Sequence, residues 1–280
     1  MSSNDLSYLV LGHLTQDITS SGIQMGGTAA YSSLTAHALG HPVRLVTSYP
    51  DSIPFFCDEG MDVVNIETNQ ATQFKNIVHG EARRQYCYAQ AELIQAPAVP
   101  PQWMNSDIIH LGPVAQEITL ETVLHFSRAA FLCATPQGWM RNWDEQGLVH
   151  HIIWDWAEKA LPLLKAVVIS LEDVNGDENK VVEMAHLCEI LAVTEAQDGA
   201  RVYWKGDARY FPAPSISPVD STGAGDIFAA VFFSRLFHTG SPWMAARNAV
   251  QLASRSVGRA GLSGVPTMQE INQNLVEIIK

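Results

Sequence analysis

Near the C-terminus the sequence reads Asp220-Ser221-Thr222-Gly223-Ala224-Gly225-Asp226-Ile227-Phe228-Ala229-Ala230. Two glycines around an alanine let the backbone come close to a ligand, and the apolar run after them places Asp226 in the first turn of a helix. Amide donors and the positive end of a helix dipole form an anion site. A carboxylate beside that site suits a general base that takes a proton from a hydroxyl during phosphoryl transfer. The structural alternative is a tight turn whose aspartate stabilises the helix dipole.

Apolar strands alternate with helices on both sides of this stretch. Residues 8–11 predict a buried strand, residues 29–39 a helix, and residues 43–47 a second strand. Together they form the strand–helix–strand unit of a doubly wound sheet, and the same alternation resumes from residue 107. We therefore predict an α/β fold with a doubly wound, mostly parallel sheet flanked by helices, in a single domain over residues 1–280.

The part between these segments has a different pattern. Apolar and polar residues alternate from about residue 62 to residue 94, and residues 79–81, His-Gly-Glu, are typical of a turn. Antiparallel sheet with one exposed face has this pattern. We predict a small β-sheet lid, formed by about residues 14–25 and 62–94 and inserted in the core.

The charge balance limits the classes of partner. The 280 residues include 17 Lys and Arg against 29 Asp and Glu, which gives a net charge of −12. Such a chain repels nucleic acid and anionic membranes, whose binding depends on clustered positive charge. We predict neither as a partner. Any phosphate must be bound locally, by backbone amides, a helix end, a metal or a few cations, and the sequence has no Gly-Lys pair of a Walker A loop.

The cysteines and the N-terminus indicate a cytoplasmic protein. Cys57, Cys87, Cys133 and Cys188 are far apart and form no C-x-x-C pair, so packed core thiols are their simplest interpretation. The first residues lack the basic and apolar regions of a signal peptide, and no run approaches the roughly 18 apolar residues of a membrane span.

The string from Asp220 to Asp226 closely resembles the D-[ST]-x-G-A-G-D signature of the ribokinase-like (PfkB) carbohydrate kinase family, and weaker similarities extend along nearly the whole chain. The resemblance implies a ribokinase-like fold in which Asp226 is the catalytic base. It also implies that the amides of Gly223, Ala224 and Gly225 form the anion hole for the transferred phosphoryl group.

Further positions match elements on the substrate side of the family. Relatives have an aspartate after the first strand, a Gly-Gly pair that opens a helix, polar residues on the lid, and a P-Q-G-x-x-R string. The matching residues here are Asp17, Gly26, Gly27, Arg84, Gln85 and Arg141. Asp17 as an ordinary loop residue, Arg84 and Gln85 as solvated strand residues, and Arg141 in a structural salt bridge are the alternatives.

On the nucleotide side the chain departs from the family at several points. The family's N-x-x-E, whose acid organises Mg²⁺ through water, is Ser170-Leu171-Glu172-Asp173 here, so Glu172 or Asp173 would take that role. The glycine of the family's T-x-G is replaced by Ala196, which matters only where the backbone needs a positive φ or a very close approach. The resemblance assigns nucleotide binding to Thr194, Ala196, Gly199, Thr222, Gly223, Gly225 and Asn248. A helix-packing role is the alternative for Asn248.

These residues together predict ATP-dependent and Mg²⁺-dependent phosphorylation of a hydroxyl on a small sugar or polyol, inositol-like or unassigned. Ribose is disfavoured because Ala29, Ala30 and Tyr31 stand where ribokinase proper has an asparagine. A nucleoside kinase of the same fold is the alternative. The departures at Ser170, Asp173 and Ala196 keep open a second one, a sugar- or nucleotide-binding protein with impaired catalysis. Pairing into a homodimer through the lids is also open.

Overall fold

The computed structural model describes residues 6–20, 22–52, 60–79 and 82–275. The strands are β1 (Tyr8–Leu11), β2 (Thr15–Thr19), β3 (Gly22–Gly26), β4 (Val43–Ser48), β5 (Met61–Ile66), β6 (Thr72–His79), β7 (Ala82–Ala89), β8 (Ile108–Leu111), β9 (Leu132–Ala134), β10 (Arg141–Trp143), β11 (Val149–His151), β12 (Ala166–Ser170), β13 (Ile190–Thr194), β14 (Gly199–Trp204) and β15 (Asp207–Pro212). The α-helices are α1 (Thr28–Ala38), α2 (Leu120–His125), α3 (Ala157–Ala160), α4 (Glu178–Leu187), α5 (Ala224–Thr239), α6 (Pro242–Ser256) and α7 (Met268–Leu275). Short 3-10 helices span Ala96–Ala98, Pro101–Trp103, Pro136–Met140, Leu161–Leu163, Leu171–Val174, Ala196–Asp198 and Gly261–Gly264.

The large sheet determines where a ligand can bind. Within the described ranges its order is β15-β14-β13-β12-β9-β8-β1-β4-β5. The strands from β13 to β5 pair in parallel, whereas the β14–β15 hairpin joins β13 antiparallel. The chain first moves from β1 toward β5 and then returns to build β8 to β13, so the order reverses between β1 and β8. In doubly wound folds the carboxyl ends of the strands beside such a reversal form the ligand crevice.

Two apolar layers cover the sheet because its strands are apolar on both faces. Tyr8 and Val10 of β1 pack into the layer with α1, α5 and α6, while Leu9 and Leu11 pack into the layer with α2, α3 and α4. All four are fully buried. The predicted fold class, a doubly wound and mostly parallel sheet flanked by helices with a small β-sheet lid, is confirmed.

The lid is the smaller sheet, with the order β3-β2-β6-β7 in the described residues. β2 pairs in parallel with β6, and the other neighbours pair antiparallel. Successive side chains of a strand point to opposite faces, so one face of this sheet turns toward the crevice and the other away from it.

One boundary of the predicted lid is wrong. The prediction included residues 62–66, but Met61–Ile66 forms β5, the edge strand of the large sheet, paired in parallel with β4. Val63 and Val64 of this edge strand pack into the two opposite apolar layers. In the sequence, such a strand shows the same mixture of apolar and polar residues as a lid strand with one exposed face, which explains the wrong assignment. Of the predicted turn, Gly80 and Glu81 lie outside the described residues. The division into one domain stays a prediction.

The thiols that the structure describes are packed as expected. Cys87 and Cys133 are buried and Cys188 is partly buried, all as free thiols, while Cys57 lies outside the described residues. Burial raises the pKa of Cys87 and of Cys188 to about 12, so both stay protonated at neutral pH. Separately, the helices of the described ranges include none with the length and apolar character needed to cross a membrane.

Candidate active site

A cleft of about 770 Å³ opens at the carboxyl ends of the central strands, next to the reversal of strand order. The lid forms one wall, and the segment after β15 together with α6 forms the opposite one. The N-terminus of α5 lies between these walls. The cleft therefore has two ends that meet at the Gly-Ala-Gly-Asp stretch, residues 223–226, which the sequence predicts to carry the catalytic residues.

Asp226 lies in the first turn of α5 and lines the cleft. Its Oδ1 accepts a 2.6 Å hydrogen bond from Oγ1 of Thr28, at the start of α1. Burial raises the pKa of Asp226 to about 6, and the carboxylates of Asp173 and Asp17 act in the same direction. The Thr28 hydrogen bond and the charge of Arg141 act against that rise. At neutral pH the carboxylate is mostly ionised and more basic than an exposed aspartate.

The loop before α5 is fixed from the opposite side of the cleft. Asp220 accepts hydrogen bonds from the amides of Thr222 and Gly261, both at 2.9 Å. Gly223, the N-cap of α5, has a φ of +77°, and a Cβ there would lie 2.3 Å from ring atoms of Tyr31. A glycine is needed at this position both for the left-handed backbone and for the close approach of the tyrosine ring.

One of the three amides predicted to form an anion hole is already hydrogen-bonded within the protein. Gly223, Ala224 and Gly225 all line the cleft. The amide of Ala224, however, donates to the carbonyl of Ser221 at 3.2 Å, which closes the turn that precedes the helix. The amide of Ala224 is thus engaged within the protein, which leaves the amides of Gly223 and Gly225 as the candidates for an anion.

The lid presents a polar face to the cleft. Alternate residues of β2 and β6 line it, together with Gln85 of β7: Thr15, Asp17, Phe74, Asn76 and Gln85. The side-chain amide of Gln85 donates to Oδ1 of Asn76 at 3.1 Å, across the β6–β7 register. Oδ1 of Asp17 accepts from the hydroxyl of Thr15 at 3.2 Å. A carboxylate, amides and a hydroxyl on one surface are suited to hydrogen bonding with several hydroxyl groups of a ligand.

A charged group lies between the lid and the large sheet. Nη2 of Arg141 is 3.7 Å from Oδ1 of Asp173, while Oδ2 of Asp173 accepts from the amide of Ser170 at 2.8 Å. Asp173 thereby caps the 3-10 helix Leu171–Val174 and pairs with the arginine, and burial raises its pKa while Arg141 lowers it. Glu172 lies exposed at the same wall of the cleft.

The two candidate metal-binding carboxylates differ in their fit to Mg²⁺. In nucleotide sites this ion is held by one or two carboxylates, phosphate oxygens and waters. Asp173 is committed to the helix cap and to Arg141, so Glu172 fits better as the acid that holds a hydrated ion. Among the described residues no group of three or more His, Cys, Asp or Glu side chains could hold a metal. Water molecules and the phosphates of a substrate would supply the remaining ligands.

The opposite end of the cleft is mainly apolar. Thr194, Ala196 and Gly199 line it at the end of β13 and the start of β14. The remaining wall comes from the segment after β15 and from the end of α6, and its members are Ala213, Pro214, Ser215, Ile216, Pro218, Val250, Ala253, Ser254 and Val257. Ala196 has a φ of +49°, so the backbone at the position of the family's glycine does adopt the left-handed conformation.

Three predicted site residues do not line the cleft. Arg84 is exposed on the outer face of the lid, because its neighbour Gln85 occupies the inner face. Gly26 is buried behind Asp17, where a Cβ would lie 2.4 Å from Oδ2, whereas the adjacent Gly27 does line the cleft. Asn248 accepts from Arg235 and donates to the backbone carbonyl of Asn274, so it joins α5, α6 and α7 away from the cleft.

The sequence patterns did not identify several residues that line the cleft, and two of them, Thr28 and Gln137, form a chain of hydrogen bonds to Asp226. Thr28 is fully buried and bonds to Asp226, and Gln137 lines the cleft and donates to Oγ1 of Thr28 at 3.0 Å. Thr28 directly follows the Gly-Gly pair, and Gln137 belongs to the P-Q-G string, so both lie inside motifs that were identified. The hydrogen bonds of Thr28 to Gln137 and to Asp226 join positions 109 and 198 residues apart, so no local sequence pattern indicates them.

Comparison with known proteins shows which protein family this chain resembles. Residues 166–268 match the model of a family described as pfkB family carbohydrate kinase. Over 181 residues the chain is 32% identical to an inositol 3-kinase of Oryza sativa subsp. japonica, a match that covers 60% of this chain and 43% of that protein. The chain thus spans less than half the length of this curated relative.

Solved structures agree over almost the whole chain. A pyrophosphate-dependent kinase of the ribokinase family, complexed with a pyrophosphate analog and myo-inositol, has a TM-score of 0.82 at 20% identity and covers 95% of this chain and 99% of its own. An ATP-bound fructokinase from Xylella fastidiosa has a TM-score of 0.74 at 17% identity, with coverages of 97% and 98%. The fold is therefore ribokinase-like. With the match over residues 166–268, the resemblance to the PfkB carbohydrate kinase family predicted from the sequence is confirmed.

Proposed function

We propose that the protein is a kinase that transfers the γ-phosphoryl group of ATP to a hydroxyl of a small uncharged polyol, of which inositol is the leading candidate. The observation that carries the proposal is the cleft itself. Its polar lid face and its apolar wall meet at Asp226, a carboxylate of raised pKa at the N-terminus of α5. Acceptor and donor would thus lie on either side of a base and an anion site.

The acceptor end favours a neutral ligand. Arg141 is the lone Lys or Arg among the described residues that line the cleft, and it pairs with Asp173. A phosphorylated sugar needs several cations, and it would meet the negative charge of Asp17 instead. The inositol 3-kinase of Oryza sativa, whose match covers 60% of this chain, supports a cyclic polyol as acceptor.

The donor end favours ATP over pyrophosphate. Pyrophosphate is the donor named for the solved structure with a TM-score of 0.82, so it is the competing candidate. Pyrophosphate has no apolar part, whereas a nucleoside can bury its base against the wall that includes Ile216, Val250 and Ala253. Mg²⁺, held through water by Glu172, would neutralise charge on the donor phosphates.

The chain's own residues account for the transfer step. Asp226 takes the proton of the acceptor hydroxyl, and the acceptor oxygen forms a bond to the γ-phosphorus. The bond from that phosphorus to the bridging oxygen breaks in line, and its electron pair leaves with ADP. The amides of Gly223 and Gly225 and the N-terminus of α5 stabilise the negative charge on the phosphoryl oxygens. Closure of the lid excludes water from the cleft, because a water molecule there could accept the phosphoryl group in place of the polyol.

The test is a nucleotide-release assay with an acceptor panel. Purified protein receives Mg-ATP with myo-inositol, fructose, ribose, fructose 6-phosphate or adenosine, and a parallel series replaces ATP by pyrophosphate. We expect ADP release above the ATP-only background with a neutral polyol. We expect Asp226→Asn to lower turnover about 100-fold or more, the scale of general-base loss, with ATP binding retained in calorimetry.

Each alternative has its own outcome in this assay. Turnover with pyrophosphate alone would refute the choice of donor, and turnover with adenosine alone would make the protein a nucleoside kinase. Silence with every acceptor, together with tight acceptor binding in calorimetry, would identify a binding protein with impaired catalysis. Unchanged turnover of Asp226→Asn would refute the mechanism.

The setting of this activity is also proposed. The free thiols Cys87, Cys133 and Cys188 suit a reducing cytoplasm. The net charge of −12 argues against nucleic acid and membrane surfaces as partners. Dimerisation through the lid stays a prediction, and sedimentation of the purified protein would test it.

A further inference from the structure

We propose that Thr28 and Gln137 are positioning residues for Asp226: they hold its Oδ1 and turn its Oδ2 toward the acceptor hydroxyl. The inference rests on the proposed kinase function and adds a step to it, because it explains how a single carboxylate on the first turn of α5 is kept in one orientation. A continuous chain of hydrogen bonds runs from Gln137 through Thr28 to Asp226.

The direction of each hydrogen bond follows from the donors and acceptors available. An ionised carboxylate only accepts, so the hydroxyl of Thr28 donates its proton to Oδ1 of Asp226 over 2.6 Å. That hydroxyl can then only accept from its other side, where the side-chain amide of Gln137 donates over 3.0 Å. Gln137 therefore fixes the rotation of the Thr28 hydroxyl, and Thr28 fixes the carboxylate.

The packing around Thr28 prevents other arrangements. Its side chain is fully buried, and its Cγ2 would lie 2.5 Å from a Cβ added at Gly112, so the threonine fills the space beside the loop after β8. It is also the first residue of α1, a helix buried along most of its length. Asp226 itself borders the cleft, and among the described residues no hydrogen bond to its Oδ2 is present. The oxygen that remains for the acceptor is thus Oδ2.

The Thr28 hydrogen bond also stabilises the ionised form of the base. Burial raises the pKa of Asp226 most, and charged groups face it from several elements: Arg141 of β10 lowers its pKa, while Asp173 after β12 and Asp17 of β2 raise it. Tyr31 of α1 also faces this cluster, and burial raises its pKa, so it stays neutral at physiological pH. None of these groups is altered by a change at Thr28, so a shift in the titration of Asp226 would report the hydrogen bond.

The experiment compares Thr28→Val, which keeps the shape and removes the hydroxyl, with Thr28→Ser, which keeps the hydroxyl. The pKa of Asp226 is measured from the carboxyl carbon signals of ¹³C-labelled aspartate, assigned by the signal that is lost in Asp226→Asn. We expect Thr28→Val to raise this pKa by about one unit, the scale of one charge-assisted hydrogen bond, and Thr28→Ser to return it toward the wild-type value. The acidic limb of kcat should move to higher pH by the same amount.

A second variant tests whether Gln137 acts on Asp226 through Thr28. We expect Gln137→Met to shift the acidic limb in the same direction by a smaller amount, and to add nothing to it in the double variant with Thr28→Val. Additive shifts would contradict the relay. Thermal melting shows that each variant is folded before its titration is compared.

The outcomes separate this inference from the kinase proposal. A folded Thr28→Val protein with an unshifted pKa at Asp226, or a Thr28→Ser protein shifted as far as Thr28→Val, would overturn the positioning role. A loss of kcat that is the same at every pH would do so too. The carboxyl titration needs no acceptor, so it decides the role of Thr28 even where the nucleotide-release assay fails and the kinase proposal is refuted.

Discussion

The two glycines around Ala224 look equivalent in the sequence, and the structure predicts that they respond differently to the same substitution. Gly223 has a φ of +77°, and a Cβ there would lie 2.3 Å from the buried ring of Tyr31. At Gly225 a Cβ would meet no atom within 4 Å, and its backbone needs no positive φ. Gly223→Ala is therefore the perturbation and Gly225→Ala its matched control.

The expected loss of stability for Gly223→Ala has two sources. A left-handed backbone costs an alanine about 1–2 kcal/mol. Inserting a methyl group into a filled space costs about 1–3 kcal/mol, because the Tyr31 ring is buried and cannot move aside freely. We expect a decrease of about 2–5 kcal/mol in the free energy of unfolding, a large part of the roughly 5–15 kcal/mol typical of a folded protein. Gly225→Ala should stay within about 1 kcal/mol of wild type.

Urea denaturation followed by fluorescence measures both variants at pH 7. A double variant, Gly223→Ala with Tyr31→Ala, identifies the source of the loss, because removal of the ring relieves the overlap and leaves the backbone cost. The two changes should therefore be less than additive by about 1–3 kcal/mol, within the range for residues in contact. Equal stability of Gly223→Ala and Gly225→Ala would refute the reasoning, as would full additivity.

Three further predictions concern the base, the donor loop and the lid. The folded-state pKa of Asp226 is raised to about 6, so the stability of the wild-type protein decreases as pH rises through that value. Asp226→Asn should therefore be more stable than wild type at pH 8, by at most about 3 kcal/mol. Urea titrations should show that this difference vanishes below about pH 4. Ala196→Gly relieves a φ of +49° and should raise the unfolding free energy by up to about 1 kcal/mol, whereas Ala200→Gly, in a buried strand, should lower it by a similar amount. Gln85→Leu should raise the KM for the polyol about 10-fold, the effect of one lost hydrogen bond, while Arg84→Leu, on the outer lid face, should leave it unchanged in the same assay.

Local patterns in the sequence were sufficient for most of the large sheet. The run Tyr8–Leu11 and residues 190–193 of β13 are apolar at every position, which is typical of parallel strands buried on both faces. The helix after the glycine-rich turn was predicted with Asp226 in its first turn, and it begins at Ala224. Edge strand β5 was misassigned because one strand's alternation does not say which sheet it joins.

Side-chain roles were harder to predict than the elements that carry them. Asn248 lies in a helix of small apolar residues, and this sequence pattern fits either a residue of the nucleotide pocket or a contact between helices. The position of α7, where Asn274 exchanges hydrogen bonds with Asn248, shows that it is a contact between helices. Arg84 and Gln85 are neighbours on one strand, so their faces depend on the register of β7 with β6. The Thr28–Asp226 hydrogen bond depends on the packing of α1 against α5, which no window of sequence contains.

The acidic residues around Asp226 affect both its basicity and the charge of the ligand that the cleft can bind. Raising the pKa of Asp226 from 3.8 to about 6 makes its carboxylate about 100-fold more basic, yet leaves most of it ionised at pH 7. Burial is the main cause of that rise and Asp173 and Asp17 add to it, while the Thr28 hydrogen bond and Arg141 lower the pKa. The same carboxylates repel an acceptor that already carries a phosphate. Under the proposed function, burial and the neighbouring carboxylates therefore strengthen the base, and the same carboxylates, with Arg141 paired to Asp173, favour an uncharged acceptor.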